Sequence, residues 1–242
     1  LAGKPLLIRM AERVMRAELS GKIVVITTTD APDDAVEELC IKENLPCFRG
    51  HPLDLLDRHY QAALKYKADI VLKIPSDCPL IDPSIITKGI SFFLNNPGPL
   101  DYVSNLHPAS YPDGNDVEVM RFSALEKSWK LATRSLEREH TTPYIWENPN
   151  DFQIDNFSWN SVTDYSMSHR WTIDYPEDYT FIQAVYEELY TVKPHFGLED
   201  ILSLLEQKPD LFKLNSKYAG VNWYRNHLDE LQTIKPEQTK AL

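Results

Sequence analysis

At 242 residues the chain can bury one full core, and its 43% hydrophobic and 25% charged residues are ordinary for a globular protein of one or two domains. A net charge of −11 argues against a nucleic-acid partner, because neutralising a phosphate backbone takes a basic face. No apolar run approaches membrane-helix length, so no membrane partner is expected, and the three cysteines are too few for a zinc site or a disulfide framework and fit a reducing cytoplasm.

In chain order, Pro5 suits a first helical turn, with Leu6, Met10, Val14 and Ala17 on one face. After Gly21, residues 22–28 read as a strand buried on both faces. A helix over Asp30–Asn44, a short strand over Leu45–Phe48 and a helix over Asp54–Lys67 follow. The apolar run from Ala68 then reads as a buried strand that ends in Ser76-Asp77-Cys78-Pro79, and a new helix begins at Pro83. Strands alternating with helices of this length predict βαβ units and a mostly parallel sheet.

After Asn95 the rhythm changes. Tyr102–Asn105 and Val117–Met120 read as short strands bracketing a loop with His107, Pro108, Tyr111, Asp113 and Gly114. Helices are predicted over Ser123–Lys130 and Leu136–Trp146, with strand composition over Phe152–Trp159. The region of about residues 100–160 is therefore expected to be a mixed strand and helix insertion beside the main sheet. A strand returns over Arg170–Asp174, followed by helices from Pro176 to about Tyr190 and over Leu198–Gln207. The expected organisation is one domain over residues 1–206 and a C-terminal extension over 207–242, frayed from Pro236 onward.

Several site types are absent from the sequence: a Walker phosphate loop, a glycine-rich dinucleotide fingerprint, a Gly-x-Ser-x-Gly elbow and a closely spaced histidine pair. Two aspartates at predicted strand ends remain. In an open α/β sheet ligands bind beyond the carboxyl ends of the strands, which is where Asp77 is delivered. A turn or cap role for Asp77 is weakened because Asp82, before Pro83, already fits the N-cap. Asp174 likewise falls outside the helix that Pro176 starts, since Tyr175 takes the cap position, although a buried acid bonded to loop amides would look the same. Two carboxylates at adjacent strand ends suit Mg²⁺ bridging nucleotide phosphates.

Seven segments together carry a family resemblance: residues 1–7, 48–50 and 56–63, Ser76–Pro83, Tyr111–Val119, Arg138–Tyr144 and Arg170–Asp178. In this order they resemble the spore-coat polysaccharide cytidylyltransferase-like proteins, relatives of acylneuraminate and 3-deoxy-manno-octulosonate cytidylyltransferases. The resemblance covers roughly residues 1–190. It implies a Rossmann-like nucleotide-diphospho-sugar transferase fold and transfer of CMP from CTP onto an acidic sugar for surface-polysaccharide synthesis. It also implies Mg²⁺ as cofactor and a cytoplasmic homodimer joined through the inserted region.

By the same carry-over, Asp77 and Asp174 are the metal-binding carboxylates. Arg49 and Gly50 lie near the nucleotide base or ribose, with Asp57 and Arg58 supporting that pocket. Asp116, Glu118 and His140 face the sugar, with strand-edge solvation or helix packing as the plain alternatives. Arg170 pairs with a carboxylate or with a phosphate.

The sequence departs from the family in two places. The family opens with a buried strand and a basic phosphate-holding loop of the kind Gln-Ala-Arg-x-Gly-Ser-x-Arg-Leu-Pro-x-Lys, whereas this chain starts just after it, at Leu1-Ala-Gly-Lys4. Ser76 stands where the family has glycine. The expectation is thus a cytidylyltransferase represented by an N-terminally truncated chain; the competing reading is a non-catalytic member that binds a sugar or a partner. A glycosyltransferase on a related fold ranks below both, because Ser76-Asp77-Cys78 does not supply the Asp-x-Asp metal motif.

Overall fold

The computed structural model describes residues 1–18, 21–159 and 163–241. Helix α1 (Leu6–Met15) starts after Pro5 and buries Ile8, Met10 and Val14. Arg13 is buried on the same face because its guanidinium has backbone partners: it donates to the carbonyls of Ile81 at 2.8 Å and Leu80 at 3.2 Å. That contact pins α1 against the segment that follows Asp77.

Strand β1 (Val25–Thr28) pairs in parallel with β2 (Cys47–Gly50) across helix α2 (Asp34–Lys42). The turn between β1 and α2 is fastened by Asp33, whose carboxylate accepts from the Thr27 hydroxyl at 2.7 Å and the Thr28 amide at 2.9 Å. These bonds to the charged form, led by those from the Thr27 and Thr28 hydroxyls, hold Asp33 down at about 2. Helix α3 (Leu55–Tyr66) is capped by Asp54, which accepts from the Asp57 amide, and Lys67 closes it in the left-handed region at φ 53°. Strand β3 (Ile70–Lys73) then leads to the turn that carries Asp77, and helix α4 (Pro83–Asn95) begins with Asp82 accepting from the Ser84 amide at 2.7 Å. Asp82 is the expected N-cap, so Asp77 is indeed spare.

The second sheet has the order β3-β5-β4-β6, with β4 (Tyr102–Ser104), β5 (Glu118–Arg121) and β6 (Ile154–Asn156). β5 runs antiparallel to both neighbours, and β4 and β6 are parallel, so the α/β class holds while this sheet is mixed. Its side chains alternate between two apolar clusters, as pleating demands. Val103 and Val119 enter the cluster formed with α4, α8 (Pro176–Leu189) and α9 (Leu198–Gln207). Tyr102 and Met120 enter the other, with α3, α5 (Phe122–Leu131), α6 (Ser135–His140) and α7 (Pro143–Trp146).

Four expectations change. Residues 22–28 do not form a strand buried on both faces, nor is the strand after Ala68 a buried one: apart from Thr27, β1 and β3 are half-buried or more exposed, because among the described residues each pairs on one side only and a cleft lies between them. The helix over 136–146 breaks at Thr141, which has φ 74°, and restarts at Pro143, whose ring cannot continue a helix. Arg170–Asp174 makes a single bridge, Asp113 to Arg170, rather than a strand, because its remaining amides go to loop and cap acceptors. The Ile173 amide donates to the Asp77 carbonyl, and the Asp174 amide to the Asp178 carboxylate. Finally, residues 236–240 are not frayed: Pro236–Gln238 forms a turn of 3₁₀ helix, Thr239 is buried, and the Lys240 amide donates to the Gly220 carbonyl at 2.7 Å.

Candidate active site

The cleft between β1 and β3 opens into a cavity of about 1540 Å³. That exceeds the roughly 300–1,000 Å³ of a single-ligand pocket, because the slot between the two sheets is continuous with a polar chamber beyond β3. Asp77, Asp113, Asp116 and Asp174 line that chamber. Asp77 arrives on the turn after β3 and Asp174 on the loop before α8. Two bonds to the Asp77 carbonyl join those segments: Ile173 donates from its amide at 3.0 Å and Thr172 from its hydroxyl at 3.3 Å.

Asp113 and Asp116 come from the loop before β5, where Gly114 lies against the backbone of Trp171 and Thr172. A Cβ on Gly114 would sit 2.6 Å from the Trp171 carbonyl carbon, and its φ of +99° is in the region that glycine alone enters easily. The Trp171 amide donates to the Asp113 carbonyl at 2.7 Å, completing the junction.

The electrostatics of this chamber are those of excess negative charge. Burial, and then the charge of Asp174, push the Asp77 carboxyl up. Burial together with Asp77 raises Asp116 to about 6, and burial with Asp116 drives Asp113 well above the carboxylate range. Arg170, the buried cation that pairs with Asp113 and Asp174, is already committed. It donates to Asp178 at 3.0 Å twice, to the Val221 carbonyl at 2.8 Å and to Asp174, with Asp113 3.4 Å away. Arg170 therefore pairs with carboxylates in this structure.

On the opposite side, Lys73 at the end of β3 is ion-paired with Glu118 at the start of β5. Burial pulls the ammonium down, but the Glu118 charge outweighs it and keeps Lys73 above its ordinary value. The Tyr102 hydroxyl donates to the same carboxylate at 2.6 Å. Glu118 is thus an interior strand residue rather than a solvated edge. Burial lowers His107 and His140 to about 4, so both rings are neutral at pH 7.

Asp77, Arg58, Asp116, Glu118, His140, Arg170 and Asp174 all line the cavity. Arg49, Gly50 and Asp57 do not line it. The Arg49 guanidinium is spent on the Thr28 and Asp30 carbonyls and on Asp34 and Glu37, and Gly50 packs under the Arg58 side chain. The Asp57 carboxylate accepts from the Trp129 indole at 2.8 Å, toward α5. Arg58 reaches the wall but donates to the His51 and Pro52 carbonyls.

Three contributors escaped the sequence reading. Asp113 lies inside the Tyr111–Val119 segment with no role assigned to it, and Lys73 sits within the apolar run from Ala68. The third is the strap over residues 221–234, whose signal was an aromatic and basic run, Trp223-Tyr-Arg225, inside a polar tail. Trp223 stacks on His140 with ring centres 3.7 Å apart, and Tyr224 packs against His107 and Trp146.

The donor set suits a magnesium ion. The chamber offers hard carboxylate oxygens whose like charges push one another's pKa up, and Asp174 gives only one of its oxygens to Arg170. Among the described residues no three acidic, histidine or cysteine groups form a ready-made metal cluster. Magnesium is commonly held by one or two carboxylates together with substrate phosphates, so a two-aspartate set is sufficient.

The sequence and the fold are similar to those of known proteins. The family model described as Cytidylyltransferase matches residues 1–215. A solved cytidylyltransferase of Leptospira borgpetersenii serovar Hardjo-bovis superposes with a TM-score of 0.80 at 31% identity, covering 87% of this chain and 86% of that one. The spore coat polysaccharide biosynthesis protein SpsF of Bacillus subtilis is 26% identical over 78% of this chain and 76% of its own length. A 3-deoxy-manno-octulosonate cytidylyltransferase of Trichlorobacter lovleyi is 34% identical over 98 residues, 40% of this chain and 38% of that protein.

Proposed function

This chain belongs to the cytidylyltransferase family, and from that premise we propose that it transfers CMP from CTP onto the anomeric hydroxyl of an acidic sugar destined for a surface polysaccharide. The observation that carries the reading is the meeting of Asp77 and Asp174 in one open cleft, within a cluster of carboxylates. The names of the Bacillus and Trichlorobacter relatives supply the polysaccharide and the acidic acceptor.

In the reaction the acceptor's anomeric oxygen bonds to the α-phosphorus of CTP, the bond from that phosphorus to the oxygen bridging to the β-phosphate breaks, and pyrophosphate leaves, taking up the proton that the anomeric hydroxyl loses. Asp77 and Asp174 would hold Mg²⁺, which when bound offsets the negative charge of the phosphates and of the transition state. Arg170 fixes Asp174 from behind, so the carboxylate does not rotate away. Lys73 and Glu118 form a neutral, immobile floor. The aromatic wall of His140, Trp146, Trp223 and Tyr224 shields the reacting end from water. Little covalent work falls to the protein, and positioning carries most of the rate.

The slot between β1 and β3 belongs to the same proposal. Each of these strands has one unpaired edge, and a parallel strand laid between them would join the two sheets. In the family resemblance such a strand carries the basic phosphate-holding loop, and that loop would enter the chamber from the slot.

The test is pyrophosphate release with a panel of nucleotides and sugar acids, run on this chain and on one extended by a strand and basic loop. The extended chain is expected to turn over CTP in preference to ATP, GTP and UTP. Asp77→Asn is expected to lower its rate by about 100-fold or more, the size of losing one electrostatic stabiliser. Full activity of Asp77→Asn, or no preference for CTP, would overturn the assignment.

A further inference from the structure

The strap over residues 221–234 lies beyond the stretch matched by the family model, yet it builds one wall of the cleft. It is tied down at both ends. Arg170 and Gln238 hold its start: Arg170 donates to the Val221 carbonyl, and Asn222 donates to the Gln238 carbonyl at 3.0 Å. Glu147 holds its far end, accepting from the Gln232 and Thr233 amides at 2.8 Å each, while Leu231 and Ile234 sink into the cluster beneath α5 to α7. The 3₁₀ turn Trp223–Asn226 between these anchors is therefore presented to the cleft in a fixed position.

The basic side chains that line the cleft differ in what they have left to give. Arg58 is spent on two backbone carbonyls, Lys73 on Glu118 and Arg170 on three carboxylates and a carbonyl. Lys22 sits at the slot end, over the Tyr66 ring. Arg225 alone of this set combines a place on the chamber wall with unspent donors. Its Nη2 makes one long contact, 3.4 Å, to the Tyr175 hydroxyl, and its Nη1 is buried without a hydrogen-bond partner. A buried guanidinium N–H with no acceptor is costly, and an arriving oxyanion is the partner that would satisfy it best. The neighbouring histidines His107 and His140 carry no charge at pH 7, so they do not compete for an anion.

Its position favours one source of that oxyanion. The strap packs on α6 and α7 through His140 and Trp146, and His140 is the residue that the family resemblance places on the sugar side. We propose that the 221–234 strap forms the acceptor subsite and that Arg225 binds the carboxylate of the sugar acid, with Trp223 and Tyr224 covering the sugar ring. This inference rests on the proposed cytidylyl transfer for the acidity of the acceptor and adds the residue that selects it.

The test is calorimetric titration of this chain with three probes: 3-deoxy-manno-octulosonate, its neutral carboxamide, and CTP with Mg²⁺. The wild-type chain is expected to bind the acid about tenfold or more tightly than the amide, as a charge-assisted hydrogen bond implies. Arg225→Gln is expected to erase that difference and leave CTP affinity within about twofold, and Arg225→Lys to restore part of it. Equal binding of acid and amide by the wild-type chain overturns the inference without any variant having to fold. A loss confined to CTP in Arg225→Gln also overturns it, by assigning the arginine to a nucleotide phosphate. Acid discrimination with no CTP binding at all would count against cytidylyl transfer while leaving the arginine's role standing.

Discussion

Asp116 shows how the site works at the scale of one residue. It is held near Asp77 and Asp113 in a half-buried position, and its carboxyl titrates at about 6 instead of 3.8. The folded state therefore binds this proton more tightly than the unfolded chain does. Between pH 4 and 6 stability falls as pH rises, and above pH 6 the full cost is present. Asp116→Asn is expected to raise stability at pH 8 by about 1–2 kcal/mol, allowing for solvent screening, and to have no effect below pH 4. Denaturant melts at the two pH values check this, and an equal gain at both would contradict the electrostatic cause. Asp77 and Asp174 were legible in the sequence because each sat next to a proline-started helix whose cap was already assigned. Asp113 and Lys73 were not legible. Their partners, Arg170 and Glu118, are distant in the chain, and no local pattern announces a pairing across the fold.

At the scale of elements the decisive contact is the junction of the Tyr111–Val117 loop with the segment Arg170–Asp174. Gly114 permits it: its backbone meets that of Trp171 and Thr172 with no room for a methyl group. Gly114→Ala is expected to cost about 2–4 kcal/mol through steric overlap and the positive φ, and to weaken nucleotide binding because it moves Asp113 and Asp116 off Asp174. Gly98→Ala is the control, since its nearest neighbour is a side-chain oxygen at 3.8 Å and it should be nearly neutral in the same urea titration. A neutral Gly114→Ala would mean that the two segments are not docked as described. Helices with one apolar face were legible from the sequence, and α3, α4, α8 and α9 fall close to their expected bounds. The segment 170–174 was misread as a strand because its composition is that of one. What decides its state is where its amides go, and they go to Asp77, Asp113 and Asp178.

At the scale of the whole molecule, two sheets, a slot and a strap define one cleft. The alternation of strands and helices over the first 95 residues was enough to place the α/β class and the end of the sheet where ligands bind. The return of residues 221–240 across the cleft was not legible, because a polar, proline-containing tail gives no local sign of long-range anchoring. Its anchors are single contacts such as Glu147 to Gln232, Arg134 to the Glu230 carbonyl and Lys240 to Gly220. They bring the Trp223–Asn226 turn to the chamber wall, where Tyr224 feels the charges of Asp116 and Asp113 and Arg225 reaches the Tyr175 hydroxyl beside Asp174.

Central to the proposed reaction is that Asp77 and Asp174 act together on a nucleotide phosphate through a divalent cation. The most direct measurement is the calorimetric affinity of the extended chain for CTP, with Mg²⁺ and with excess EDTA, in the wild type, Asp77→Asn and Asp174→Asn. The wild type is expected to bind CTP about tenfold or more tightly with Mg²⁺, and each variant to lose that gain while its melting temperature holds or rises. Mg²⁺-dependent CTP binding that persists undiminished in both variants would contradict it.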